Sequence, residues 1–124
     1  MPNAPCSALS VVYTPEGKTD HVELFPRNPD IVIVDTDVVT DAPERYFVAG
    51  MGDAMATWYE AKVCVNNPEA VNMLGSRPTL AACAMGEICA HTLYADSLLA
   101  VEALHSGETS EPLERVVEAN TLLS

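Results

Sequence analysis

The sequence is poor in basic residues, with six lysines and arginines against 18 acidic residues and a formal net charge of −12. This excess of negative charge argues against nucleic acid and anionic membrane surfaces as partners, because both would repel the chain. No run of residues approaches the ~18 uninterrupted apolar residues of a membrane span. The N-terminus does not have the pattern of a signal peptide. The sequence therefore predicts a soluble, cytoplasmic protein of one domain's length, with no nucleic acid and no membrane as partner.

The sequence also lacks a complete catalytic or metal-binding motif. No Cys-x-x-Cys pair, Gly-x-Ser-x-Gly elbow or phosphate loop is present, and Gly50-x-Gly52 has no third glycine. His91 and His105 would be about 21 Å apart on one helix, too far to share an ion with zinc–nitrogen bonds of about 2 Å. The four cysteines lie among small residues, which is typical of buried thiols in a reducing compartment. They are Cys6, Cys64, Cys83 and Cys89.

The first forty residues have the pattern of strands. Residues 7–14 and 21–25 are β-rich and are separated by a turn at 15–18, which predicts a hairpin. The continuous apolar run 31–34 predicts a strand that is buried on both faces.

Helices are predicted from Asp41 onward. Asp41 and Glu44 resemble a capping box, and the helical pattern extends to about residue 65, with a break or bend near Gly50 and Gly52. Further helices are predicted over 79–94, from a cap at Asp96 through residue 105, and from residue 113 to the last residue, 124.

Asp53 is the single charge in the apolar stretch 46–59, directly behind two glycines. A carboxylate buried there would be costly without a positive partner, which favours a bound cation. The glycines suggest that a ligand or another chain segment approaches the backbone closely. An exposed acid on a surface helix is the alternative, since acids in helices are usually exposed.

Four ordered segments resemble the glycerol dehydrogenase family, within the iron-containing (group III) alcohol dehydrogenases. They are residues 4–14, 28–36, 49–61 and 113–124. The resemblance covers essentially the whole chain and is weakest over 64–110. It implies an α+β fragment of the dehydroquinate synthase-like architecture. Residues 1–40 would be a hairpin and strand from the end of the Rossmann-like NAD-binding domain, and residues 41–124 would be the first helices of the all-α metal-binding domain.

The resemblance also implies site residues. Asp53 falls on the family's metal-binding aspartate, which usually holds zinc, and the other two ligands are histidines beyond residue 124. Ser7, Leu9 and Tyr13 match positions that contact NAD. Asn3 stands where the family usually has an aspartate that contacts the substrate hydroxyls, and an amide there removes a charge and a purely accepting group. The glycine-rich pyrophosphate loop would lie before residue 1.

The family oxidises glycerol to dihydroxyacetone with NAD and a divalent metal ion, and hydride passes to NAD. The intact enzymes are expected to be homo-oligomers. Because two metal ligands and the phosphate loop are absent, we expect the 124-residue chain alone to be inactive. One alternative is that a second polypeptide completes the site in trans, and another is a non-catalytic helical interaction module. Helices that normally pack against absent parts should also expose apolar faces.

Overall fold

The fold begins with a β-hairpin, as predicted. A computed structural model describes residues 6–72 and 75–124, and it pairs β1 (Leu9–Tyr13) with β2 (Thr19–Leu24) in a two-stranded antiparallel sheet. Gly17 adopts φ +79° in the connecting turn, a conformation that glycine reaches without steric cost. A bulge near the end of β1 shifts the register between Val12 and Tyr13. Every residue of β2 is exposed.

The remaining regular elements of the described chain are helices, and polar side chains or glycine cap several of their ends. The Thr79 and Ser110 side chains accept hydrogen bonds from backbone N–H groups of the helices that follow them. Gly107 closes a helix in the left-handed conformation. No helix within the two described ranges is long and apolar enough to cross a membrane. The elements are α1 (Thr36–Thr40), α2 (Glu44–Asn66), α3 (Leu80–Ser106), α4 (Glu111–Glu118) and a π-helical turn (Ala119–Leu123).

The strand predicted at 31–34 is wrong. These residues belong to no strand, and Ile31 and Ile33 are 78% and 86% exposed. A strand needs a neighbour to receive its backbone hydrogen bonds. Within the described residues, β1 and β2 pair only with each other. The chain instead turns directly into α1, a short helix that the sequence analysis missed and that Asp35 caps by accepting from the Asp37 N–H at 3.0 Å.

The predicted helix boundaries also need correction. Asp41 ends α1, whereas Pro43 precedes α2 and makes no side-chain cap, so the capping box is wrong. The α2 helix continues through both of its glycines without a break. The two helices predicted on either side of residue 95 are one helix, α3, of 27 residues. Asp96 caps nothing, because its side chain is turned inward, where it pairs with Arg115 of α4.

The hydrophobic core lies where α3 packs between α2 and α4 with the π-helical turn. At the α2–α3 crossing, a Cβ added to Gly86 would lie 3.6 Å from the Trp58 Cα, so the two backbones approach closely there. The expectation of exposed apolar side chains is confirmed outside this core. The fully buried large side chains are Leu93, Leu113, Val116 and Cys89.

Candidate functional site

A groove of about 840 Å³ lies beside α1 and the first half of α2. It brings together one residue predicted to contact the nucleotide, Tyr13, and the residue predicted to bind the metal, Asp53. Asp35 and Tyr46 add polar groups that the sequence analysis did not identify. Apolar side chains line the remainder, a composition typical of a small-molecule site. These apolar residues are Ile33, Val34, Val38, Val39, Ala42, Phe47, Ala49 and Gly50.

Asp53 is exposed, so the prediction of a buried carboxylate is wrong. Met51 and Ala54 face the core, while the 3.6-residue helical period directs Asp53 to the groove. Within the described residues, no hydrogen bond or ion pair reaches the Asp53 carboxylate. Its oxygens are therefore available to a cation in the groove, although burial does not demand one.

Of the two glycines before Asp53, Gly52 marks no close contact within the described chain. Gly50 is buried and lines the groove. A Cβ added to Gly52 would meet no atom within 4 Å. The glycine that does allow a close approach between two helices is Gly86.

The residues predicted to contact NAD lie in two places. Tyr13 is in the groove with Asp53, whereas Ser7 and Leu9 line a second groove of about 600 Å³ at the other end of β1. The segment around Asn28 forms one side of this second groove, and the Asn28 Oδ1 accepts from the Ala8 N–H at 2.8 Å. Asn3, the predicted substrate contact, lies outside the described residues.

Asp53 has the donor chemistry of a metal ligand, but it is not part of a complete metal site. In residues 6–72 and 75–124, no group of three or more His, Cys, Asp or Glu side chains could hold an ion. His21 lies 2.9 Å from Asp20, and His105 lies 2.8 Å from Glu44, so both imidazoles have surface partners. Among the described residues, the Asp53 carboxylate could supply one oxygen ligand to a cation, and no group of three ligands forms around it.

Of the two tyrosines that line the groove, Tyr46 contacts a neighbouring arginine side chain. The Arg45 Nη2 donates to the Tyr46 hydroxyl at 2.9 Å, and the guanidinium carbon lies 4.6 Å from the ring centroid. Both contacts hold the ring at the edge of the groove. Two neighbouring polar residues, with no distinctive motif around them, gave no signal for this arrangement in the sequence.

An ion pair between α3 and α4 was also missed. Arg115 donates to Asp96 through Nε at 2.8 Å and through Nη2 at 2.9 Å, and it also pairs with Glu111. These hydrogen bonds lower the pKa of Asp96 below its ordinary value and raise the pKa of Arg115. A lone acid within an apolar helical pattern is the one sequence signal of such a pair. Asp96 is therefore a structural residue and not a candidate ligand.

Comparison with known proteins gives this geometry a context. No family model matches the chain. The glycerol dehydrogenases of Thermotoga maritima and Escherichia coli O6:H1 are 48% and 49% identical to it over 122 residues, which are 98% of the chain and 33% of each relative. The crystal structure of glycerol dehydrogenase from Schizosaccharomyces pombe superimposes with a TM-score of 0.88 at 35% identity, covering 98% of this chain and 31% of that one.

Both relatives and the solved structure are glycerol dehydrogenases. The chain is a homologue of part of these enzymes, and it spans about a third of the length of the curated relatives it matches. The resemblance identified from the four sequence segments is thereby confirmed. The fold class is confirmed as well, since the hairpin and helices have the architecture of the matching part of those enzymes. The domain boundary at about residue 40 stays a prediction.

Proposed function

We propose that this chain is a portion of an NAD-dependent glycerol dehydrogenase in which Asp53 is one protein ligand of a catalytic zinc ion. The observation that carries the proposal is the shared groove, which places the free Asp53 carboxylate and the Tyr13 side chain around one space. The identity of about half over 122 residues supports it. A cytoplasmic setting fits the four free cysteines. Homo-oligomer formation stays a prediction.

The residues named in this proposal have separate tasks. A zinc ion bound there would act as a Lewis acid toward a glycerol hydroxyl, while NAD accepts hydride. Asp53 supplies a negatively charged oxygen that holds the ion, and Tyr13 contacts the nucleotide. The apolar lining, which includes Val34 and Phe47, gives the reacting groups less polar surroundings. Asn3 replaces a purely accepting group with an amide that also donates, which weakens its contact with substrate hydroxyl protons.

We also propose that the 124-residue polypeptide alone is inactive. One carboxylate binds zinc weakly, because catalytic zinc sites usually have three protein ligands. Completion in trans by a second polypeptide and a non-catalytic interaction module are the alternatives. Glycerol oxidation by the purified chain with added zinc would contradict inactivity. Zinc-independent folding together with a defined protein partner would favour the interaction module.

A chimera tests the proposed roles. The matching 122 residues of the Thermotoga maritima enzyme are replaced by those of this chain, and glycerol-dependent NAD reduction and bound zinc are measured. We expect Asp53→Asn to lower kcat/KM at least about 100-fold, since losing even an outer-shell partner typically costs 10–100-fold. Bound zinc should fall as well. As a control, Asp37→Asn changes a different exposed acid, which lies on α1, and it should alter neither kcat/KM nor the bound zinc.

The same chimera tests the substituted substrate position. Asn3→Asp should lower the KM for glycerol, because it restores the accepting carboxylate. A folded chimera in which Asp53→Asn keeps full activity and full zinc content would refute the role of Asp53.

A further inference from the structure

One side of α2 presents a polar residue at each end of a short, bare stretch of the groove. Tyr46, Ala49, Gly50 and Asp53 follow each other at intervals of three or four residues, and all four line the groove. Tyr46 and Asp53 are two helical turns apart, an axial distance of about 10.5 Å. Between them Ala49 and Gly50 contribute only a methyl group and a hydrogen. The space between the phenol and the carboxylate is therefore left open by the side chains of α2 itself.

The hydrogen bonding of Tyr46 leaves its phenol proton available. The Arg45 guanidinium donates to the phenol oxygen at 2.9 Å, and a guanidinium has no acceptor atom to receive a proton in return. Within residues 6–72 and 75–124, no group accepts a hydrogen bond from the Tyr46 hydroxyl. A hydrogen bond received from a cation polarises the phenol, which strengthens the hydrogen bond that it donates. Tyr46 is thus prepared to donate to an acceptor in the groove.

The charges of the groove indicate the kind of acceptor. The two charged residues among those that line it, Asp35 and Asp53, are both acidic. Carboxylate or phosphate compounds would be repelled there, whereas the oxygen of a neutral hydroxyl group would not. The side chains of Tyr46 and Asp53 take up part of the distance between their backbones, which leaves room for a molecule of a few carbon atoms. A small neutral polyol has these properties.

We propose that Tyr46 is a specificity-determining residue, which donates its phenol proton to a second hydroxyl of a polyol whose reacting hydroxyl lies at the Asp53 end of the groove. Arg45 is a positioning residue that acts through the phenol. The inference rests on the proposed function and deepens it, because it explains how the groove distinguishes a polyol from an alcohol with one hydroxyl. An alcohol with one hydroxyl reaches the Asp53 end but offers no oxygen to Tyr46.

Tyr46→Phe in the Thermotoga chimera tests this role, because it removes the hydroxyl and keeps the ring. We expect kcat/KM for glycerol to fall at least about fivefold, the usual effect of one lost hydrogen bond, with most of the change in KM. For propan-2-ol, which lacks the flanking hydroxyls, kcat/KM should change less than about twofold. Tyr59→Phe is the matched control, since this hydroxyl on the same helix contacts Tyr94 and does not line the groove. It should leave both values unchanged.

A double-mutant cycle with glycerol alone tests the contribution of Arg45. Arg45→Met should lower kcat/KM for glycerol at least about twofold, because the phenol loses its cationic donor. In the Tyr46→Phe background the same change should have no further effect, since Arg45 acts only through the hydroxyl. Circular dichroism and Tm verify that each variant is folded.

Three outcomes would overturn the proposal. A folded Tyr46→Phe chimera with unchanged kcat/KM for glycerol would remove the contact with the substrate. Equal losses for glycerol and propan-2-ol would assign the hydroxyl a structural role. An equal effect of Arg45→Met with and without the Tyr46 hydroxyl would refute the action of Arg45 through the phenol. Failure of the proposed function has a different signature, because Asp53→Asn would then leave the activity and the zinc content of the chimera intact.

Discussion

Replacing Leu93 by alanine should be among the most destabilising single truncations in this chain. Leu93 is 1% exposed and lies on the inner side of α3, in the core shared with α2 and α4. Leu→Ala changes at such sites cost about 2–5 kcal/mol, because transfer free energy is lost and a cavity remains. With an unfolding entropy of about 2.1 cal/mol/K per residue, a chain of this length loses about 4 °C of Tm per kcal/mol. A central cost of about 3 kcal/mol therefore predicts a fall of about 12 °C.

The matched control is the same substitution five residues further along the same helix. Leu98 is 81% exposed, so Leu98→Ala should change the free energy of unfolding of the isolated chain by less than about 0.5 kcal/mol. Thermal unfolding followed by circular dichroism at low protein concentration measures both variants. Equal effects of the two substitutions, or a larger effect of Leu98→Ala, would refute the orientation of α3, in which Leu93 is buried and Leu98 is exposed.

Two further predictions concern titratable groups. Arg115 lowers the folded-state pKa of Asp96, so the ion pair stabilises the folded chain above the ordinary carboxyl pKa of about 4, and this contribution is lost as the pH falls below that value. Asp96→Asn should therefore lower Tm at pH 7 and make Tm decline less steeply in acid. An equal decline of Tm in the original chain and the variant would contradict the pairing. Burial raises the pKa of the Cys89 thiol, which lies 3.6 Å from the Ala54 carbonyl and 3.5 Å from the Ala119 carbonyl. Cys89 should therefore be the slowest of the four thiols to react with a thiol reagent at pH 8. Cys89→Ala should remove the slow phase of the labelling reaction without removing a fast phase.

The sequence predicts those elements whose causes are local. The hairpin follows from two β-rich runs around a turn in which Gly17 takes the left-handed conformation. Thr79 was correctly expected near the start of a helix, since its side chain needs only a backbone N–H three residues later. These features depend on neighbours in sequence, so they can be recognised without tertiary structure.

Several of the errors concern features that depend on distant partners, although the missed α1 and the wrong capping box at Asp41 are local. The run 31–34 has strand composition, but its pairing depends on neighbours that the described residues do not supply. In the sequence Asp96 resembles a helix cap, and only the structure shows that Arg115, 19 residues later, donates hydrogen bonds to its carboxylate. The orientation of Asp53 depends on which side of α2 meets α3, and an apolar pattern on nearly every side of the helix cannot specify that. The role of Asp53 came from family resemblance, whereas its exposure came from the structure.

The close contact between Gly86 and Trp58 also has a mechanical consequence. It offers a point about which α2 and α3 could rotate against each other, because the two backbones approach closely there. Asp53 is five residues from Trp58, an axial distance of about 7.5 Å, whereas Glu44 at the start of α2 is about 21 Å away. A small change in the crossing angle would therefore displace Glu44 and its His105 contact nearly three times as far as Asp53. The candidate ligand lies on the short lever arm, where its position is least sensitive to motion between the helices.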